Sequence, residues 1–183
     1  MFKNNAFRFG LVSKLLHWLI AIGIVGLIWL GWWMVGLGYY DPWYHDSLEF
    51  HKAAGMVVLL LAFAKIGWQI YNRPPLPGPH LQRWEIRASK SMHYVLYALM
   101  IVVPITGYMM TTSAGQSVSM FGLFDLPAIL TITESTRDMA IAIHYYFAYA
   151  GIALVLGHGG AALKHHFINK DDTLKRMTWG KIR

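Results

Sequence analysis

The stretch 139–166, MAIAIHYYFAYAGIALVLGHGGAALKHH, is apolar enough to lie in lipid, yet it carries two internal histidines, His144 and His158, fourteen residues apart. At ~1.5 Å rise and ~100° per residue, fourteen steps come within about 40° of a whole number of helical turns and separate the two side chains by ~21 Å along the axis. In a hydrocarbon core ~30 Å thick, one imidazole then lies near each surface. Ionisable groups at such depth are rare unless they bind or relay something, so the default reading is functional. If two other helices bring histidines to the matching heights, the chain holds two stacked bis-histidine sites, the ligation that suits two b-type haems.

Composition fixes the setting of that stretch. The chain has 183 residues, of which 56% are hydrophobic and only 14% charged, too few charges to clothe a soluble domain of this size. Trp and Tyr are abundant, as expected of aromatic belts at a membrane interface. The net charge of +7 would raise nucleic-acid binding for a soluble protein. Here the basic residues fall instead into three groups: Lys3, Arg8 and Lys14; Lys65, Arg73, Arg83, Arg87 and Lys90; and Lys164, Lys170, Lys175, Arg176, Lys181 and Arg183. Only Lys52 and Arg137 lie elsewhere, which is the pattern of the positive-inside rule and leaves no role for nucleic acid. The absence of cysteine excludes disulfides, thiolate-bound iron–sulfur clusters and a C-x-x-C-H haem attachment. The first apolar run is too long for a secretory signal and has no small-residue cleavage site, so it is expected to remain as a membrane helix.

The expected architecture is an all-α membrane protein: one domain over 1–183, a bundle of four transmembrane helices around two stacked b haems, with both termini cytoplasmic. The spans are expected at about 15–37, 51–71, 91–111 and 139–166. An acidic, aromatic connection at 38–50 and a long one at 112–138 belong on the periplasmic side. The proline-rich NRPPLPGPH after the second span cannot be helical. LQRWEIRASK reads as a basic interfacial segment, and Pro104 with Gly107 is expected to bend the third span. Lys65 is expected to snorkel to the inner surface.

This topology sorts the histidines by height. His17 and His158 fall in the inner layer, His51 and His144 in the outer one, so that each layer draws one ligand from the fourth span and one from another helix. His93 also lies at inner height and competes with His17 as partner of His158. The two histidines of a layer are too few for a zinc site. For a single histidine, a packing or proton-relay role would be the better reading; four at matching depths on three helices favour haem iron. His45 and His80 are assigned to loops. His165 and His166, at the inner end of the fourth span, are either interfacial anchors or donors to a quinone carbonyl.

The residues that carry these features also resemble a known family. SKLLHWL (13–19), EFHKAAG (49–55), RASKSMHYVLYALM (87–100), TSAGQSVSMFGLFDLPA (112–128) and above all IHYYFAYAGIALVLGHGGAALKHHFINKDDTLKRM (143–177) resemble the bacterial cytochrome b561 family, small four-helix dihaem proteins of the inner membrane. The resemblance implies His17 with His158 and His51 with His144 as axial ligands of haem iron, and electron exchange with ubiquinone. Its best-understood member type oxidises superoxide at the periplasmic face through a positively charged surface. This chain departs from that feature, since its outer segments hold Asp41, Asp46, Glu49, Asp125, Glu134 and Asp138 against Lys52 and Arg137, a net −4 (two basic against six acidic). Lys52, next to His51, remains the candidate for guiding superoxide. His165, with Ser13 and His93, is the candidate quinone site. The functional expectation is therefore transmembrane electron transfer through two b haems between the periplasmic face and ubiquinone, with a superoxide:ubiquinone oxidoreductase as its specific form. The alternatives are an electron carrier that serves a periplasmic redox protein, and a haem-free membrane scaffold or transporter.

Overall fold

The computed structural model describes residues 1–178; Lys181 and Arg183, counted above in the C-terminal basic group, lie outside the described residues. Four long helices dominate: α1 (Leu11–Met34), α2 (Tyr44–Tyr71), α3 (Arg83–Thr112) and α4 (Glu134–Phe167), followed by the short α5 (Thr173–Met177). Each of the four is long and apolar enough to cross a membrane. At 34 residues, α4 is ~51 Å long and overruns a ~30 Å hydrocarbon core at its ends.

Most helices begin earlier than their apolar runs, for local reasons. α2 starts at Tyr44 and so takes in half of the expected loop and His45, with Asp46 in its first turn opposing the positive end of the helix dipole. α3 starts at Arg83, absorbing most of the segment read as interfacial: the Glu85 carboxylate accepts a hydrogen bond from the Gln82 backbone N–H at 3.0 Å. α4 is opened by Thr133, whose hydroxyl accepts from the Thr136 N–H at 3.2 Å, and Lys164, His165 and His166 occupy its last turn, where positive charge is favoured.

The connection between α3 and α4 holds an element that hydrophobic periodicity did not indicate, a two-stranded antiparallel hairpin of β1 (Val118–Ser119) and β2 (Asp125–Leu126) in the register Val118 with Leu126 and Ser119 with Asp125. Gly122, at φ 73°, supplies left-handed backbone in its turn. Val118 and Met120 pack on Ala53 of α2, next to Tyr108 and Met56, so the hairpin caps one end of the bundle. The opposite end carries the N-terminal segment and α5. There the Trp18 indole donates to the Met177 carbonyl at 3.0 Å, the Arg176 guanidinium to the carbonyls of Phe7 and Leu76 at 2.8 and 2.7 Å, and the Asn4 amide to the carbonyls of Asn72 and Arg73.

The helices pack in series, α1 on α2, α2 on α3 and α3 on α4, while α4 has no comparable backbone packing on α1 or α2. The buried core is correspondingly small and centres on Ile20, Ala62 and Met100. Many large apolar side chains face outward, Trp29, Trp32, Leu60, Tyr146 and Leu156 among them, as suits a surface solvated by lipid.

Candidate functional site

The space left between α4 and the α1–α2 pair is bridged by histidines. His17 of α1 faces His158 of α4 with ring centroids 6.2 Å apart and planes inclined at 59°. Toward the hairpin end, His51 of α2 faces His144 of α4 at 6.3 Å and 72°. Two imidazoles bound to one metal from opposite sides would stand at ~6.2 Å, taking about 2.0 Å for each metal–nitrogen bond and about 1.1 Å from nitrogen to ring centre. His93 behaves differently. It meets His158 edge to face at 5.2 Å, with its ring against the other, and its Nδ1 donates to the Ser89 carbonyl at 2.6 Å.

Backbone features orient the hairpin-end pair. His144 Nδ1 donates to the Val103 carbonyl at 2.8 Å, which puts the ring proton on Nδ1 and leaves Nε2 with its lone pair free for a metal. The ring can come this close because residue 107 is glycine: a Cβ there would stand 3.0 Å from His144 Cε1 and 3.1 Å from its Nδ1. Pro104 removes one rung of the α3 hydrogen-bond ladder in the same turn. Gly31 of α1 plays the corresponding part for His51, whose Cε1 would lie 3.2 Å from an added Cβ. His51 Nδ1 is buried without a hydrogen-bond partner among the described residues.

These features fit a haem better than a bare metal ion. Among the described residues, no group of three or more His, Cys, Asp or Glu could hold an ion alone. A haem brings four equatorial nitrogens of its own, so two facing histidines complete the coordination of its iron.

The other residues singled out from the sequence sit around this axis. His165 lies two turns beyond His158; its Nδ1 donates to Asp171 Oδ2 at 2.6 Å, and its Nε2 lies 4.0 Å from Glu85 Oε1, itself 3.3 Å from Lys164 Nζ. Burial pushes the Asp171 carboxyl up, but hydrogen bonds from the Thr173 hydroxyl and backbone N–H and from His165 outweigh it and hold the group below its ordinary value. Ser13 is buried; its hydroxyl donates to Asn4 Oδ1 at 2.7 Å and accepts from the Trp68 indole at 2.9 Å. Lys52, at the other end, lines a polar cavity of about 280 Å³ together with Glu49, Ser117, Ser119 and Asp125. Sequence reasoning did not find the roles of the Val103 carbonyl and the Asp171 carboxylate, whose only signals were the clustering of Pro104 with Gly107 and of two aspartates after His165; for Gly31 the run of glycines in the first span was the signal that a neighbouring helix or ring approaches closely.

Comparison with known proteins then settles the family. The model of the family described as prokaryotic cytochrome b561 matches residues 8–180. This chain belongs to that family. It is similar to cytochrome b561 homolog 2 of Escherichia coli (strain K12), at 42% identity over 176 residues, which cover 96% of this chain and 94% of the relative. Cytochrome b561 homolog 1 of the same organism is 30% identical over 174 residues, 93% of this chain and 96% of the relative. The probable superoxide oxidase CybB of Yersinia pestis is 30% identical over 171 residues, 88% of this chain and 90% of the relative. As a cytochrome b561 with four apolar membrane-length helices, the protein is a bacterial inner-membrane protein of transmembrane electron transfer, and the family implies b-type haem.

Proposed function

We propose that this cytochrome b561 moves electrons from the periplasmic face to ubiquinone through two b haems, one held by His51 and His144 and the other by His17 and His158, with both termini cytoplasmic and residues 1–183 forming one membrane domain. The observation that carries this reading is the pair of matched separations, 6.2 and 6.3 Å, across a gap that the helices do not close with their own backbones. When bound, each haem supplies a one-electron carrier, and the ~21 Å between His144 and His158 along α4 sets the two near opposite surfaces.

The protein's own groups do the rest. The Val103 carbonyl fixes the tautomer and tilt of His144. Asp171 holds the Nδ1 proton of His165 and turns Nε2 away from the carboxylate; with both ring nitrogens protonated, Nε2 donates to a ubiquinone carbonyl, and complete reduction of the quinone takes two electrons and two protons. In this reading His93 lines the same wall, and Ser13, whose proton goes to Asn4, supports the wall from within.

For the electron donor, superoxide is one reading, with Lys52 guiding the anion. A second reading, a periplasmic redox protein with a basic face, is favoured by the cavity around Lys52, where Glu49 and Asp125 set two carboxylates against one ammonium. The deciding experiment for the cofactor is pyridine haemochrome analysis of the purified protein. About two haems per chain, extractable by acid–acetone, are expected; about one, or covalently retained haem, would overturn the arrangement.

A further inference from the structure

Lys65 of α2 forms no ion pair among the described residues. Lys65 follows His51 by fourteen residues, the same interval that separates His144 from His158 on α4. Because α2 and α4 both run from the hairpin end toward the terminal end, and His51 is level with His144, Lys65 is level with His158 and within about 40° of the face that carries His51. It is half-buried. It lines a narrow crevice with Asn4, Ser13, Trp68, Gln69 and Asn72, all neutral.

The carboxylates at this end are engaged elsewhere. Glu85 binds Lys164, Asp171 binds His165 and Asp172 binds Lys175. Among the described residues, no carboxylate forms an ion pair with Lys65. An ammonium withdrawn from water without a counter-charge is strongly disfavoured, so its retention beside a cofactor site calls for an anion from the cofactor. Haem b carries two carboxylates.

We propose that Lys65 is the counter-charge for a carboxylate of the haem held between His17 and His158, and that it thereby raises the reduction potential of that haem alone. The proposal rests on the haem reading above. Its electrostatics are simple: the oxidised iron carries one more positive charge than the reduced iron, so a nearby cation disfavours the oxidised state. At the level of His51 and His144 the lysine is Lys52, which shares its cavity with the carboxylates of Glu49 and Asp125.

The test is a redox titration of the holoprotein carrying Lys65→Gln or Lys65→Arg, with haem content measured on the same samples. In Lys65→Gln one of the two haem transitions should fall by about tenfold in its equilibrium constant, or 59 mV for a one-electron couple, while the other stays in place. Lys65→Arg should restore it. Selective loss of the haem between His17 and His158 in Lys65→Gln, with retention in Lys65→Arg, would support the same role. Unmoved potentials would mean that Lys65 only reaches lipid phosphate, and the proposal falls. Equal shifts in both haems, or loss of haem in both variants, would also overturn it, since charge at one layer would then not be the cause. Fewer than two haems in the unmodified protein would instead sink the arrangement of histidines itself.

Discussion

At the scale of single residues, the distinction between His17 and His93 is one of distance. His93 touches the His158 ring edge to face at 5.2 Å and spends its Nδ1 proton on Ser89, whereas His17 stands off by 6.2 Å, room enough for a metal between the rings. His17→Ala and His158→Ala should therefore remove or make five-coordinate the same haem, His51→Ala and His144→Ala the other, and His93→Ala neither, as read from the reduced absorbance bands. A His93→Ala protein lacking the His158 haem while His17→Ala kept it would reverse the pairing. Asp171 gives a second prediction. Its carboxyl is held below the ordinary 3.8 by Thr173 and His165 against the effect of burial. The unfolded chain thus takes up this proton at higher pH than the folded one, so the contribution is full above the unfolded value and is lost as pH falls through the folded one. Thermal unfolding in detergent should drop more steeply on acidification below about pH 4 for the wild type than for Asp171→Asn; parallel curves would show that the Asp171 carboxylate, with its bonds to Thr173 and His165, adds nothing to stability.

Helix ends, rather than helix existence, separate the elements from the reading of the sequence. Thr133 opens α4 five residues before the expected span, so its removal tests whether a local cap sets that boundary. Thr133→Ala should cost about 1 kcal/mol locally, roughly a fivefold faster amide exchange over 134–138, with the haem bands unchanged. Exchange at the wild-type rate would assign the early start to packing under the hairpin. The four helices were legible because lipid demands long apolar runs, and the histidines because few polar residues interrupt those runs. The polar first turns of α2, α3 and α4 were less legible, since hydropathy ends where the hydrocarbon does while caps such as Thr133 and the Glu85 carboxylate carry the helix into water. The β-hairpin escaped for a related reason: strands of two residues have no period to read, and they are held by Val118 and Met120 packing on Ala53. In the candidate site, the histidine heights followed from sequence spacing alone, but the choice between His17 and His93 did not, because both lie at one level and only the fold separates contact from coordination distance.

For the molecule as a whole, charge is divided between the two ends. The hairpin end holds six acidic and two basic residues, and twelve of the fourteen basic residues among the described ones fall at the opposite end or within one helical span of it. Under the positive-inside rule this division supports the proposed orientation, with both termini cytoplasmic and an electronegative surface facing the periplasm. That surface acts on any donor before contact. An anion such as superoxide meets like charge, and added salt screens the repulsion, with a Debye length of about 10 Å at 0.1 M. Superoxide-driven reduction should therefore speed up by a few-fold as ionic strength rises from about 0.01 to 0.3 M, whereas reduction by a basic redox protein should slow over the same range. The cavity around Lys52 provides the control. Replacing Glu49 by Gln and Asp125 by Asn removes the two carboxylates that line the cavity with that lysine, which should raise the low-salt rate with superoxide and flatten its salt dependence. A superoxide rate that already falls with salt in the unmodified protein would mean that Lys52 outweighs the surrounding acidic field, and would return superoxide to first place as the donor this surface is built to receive.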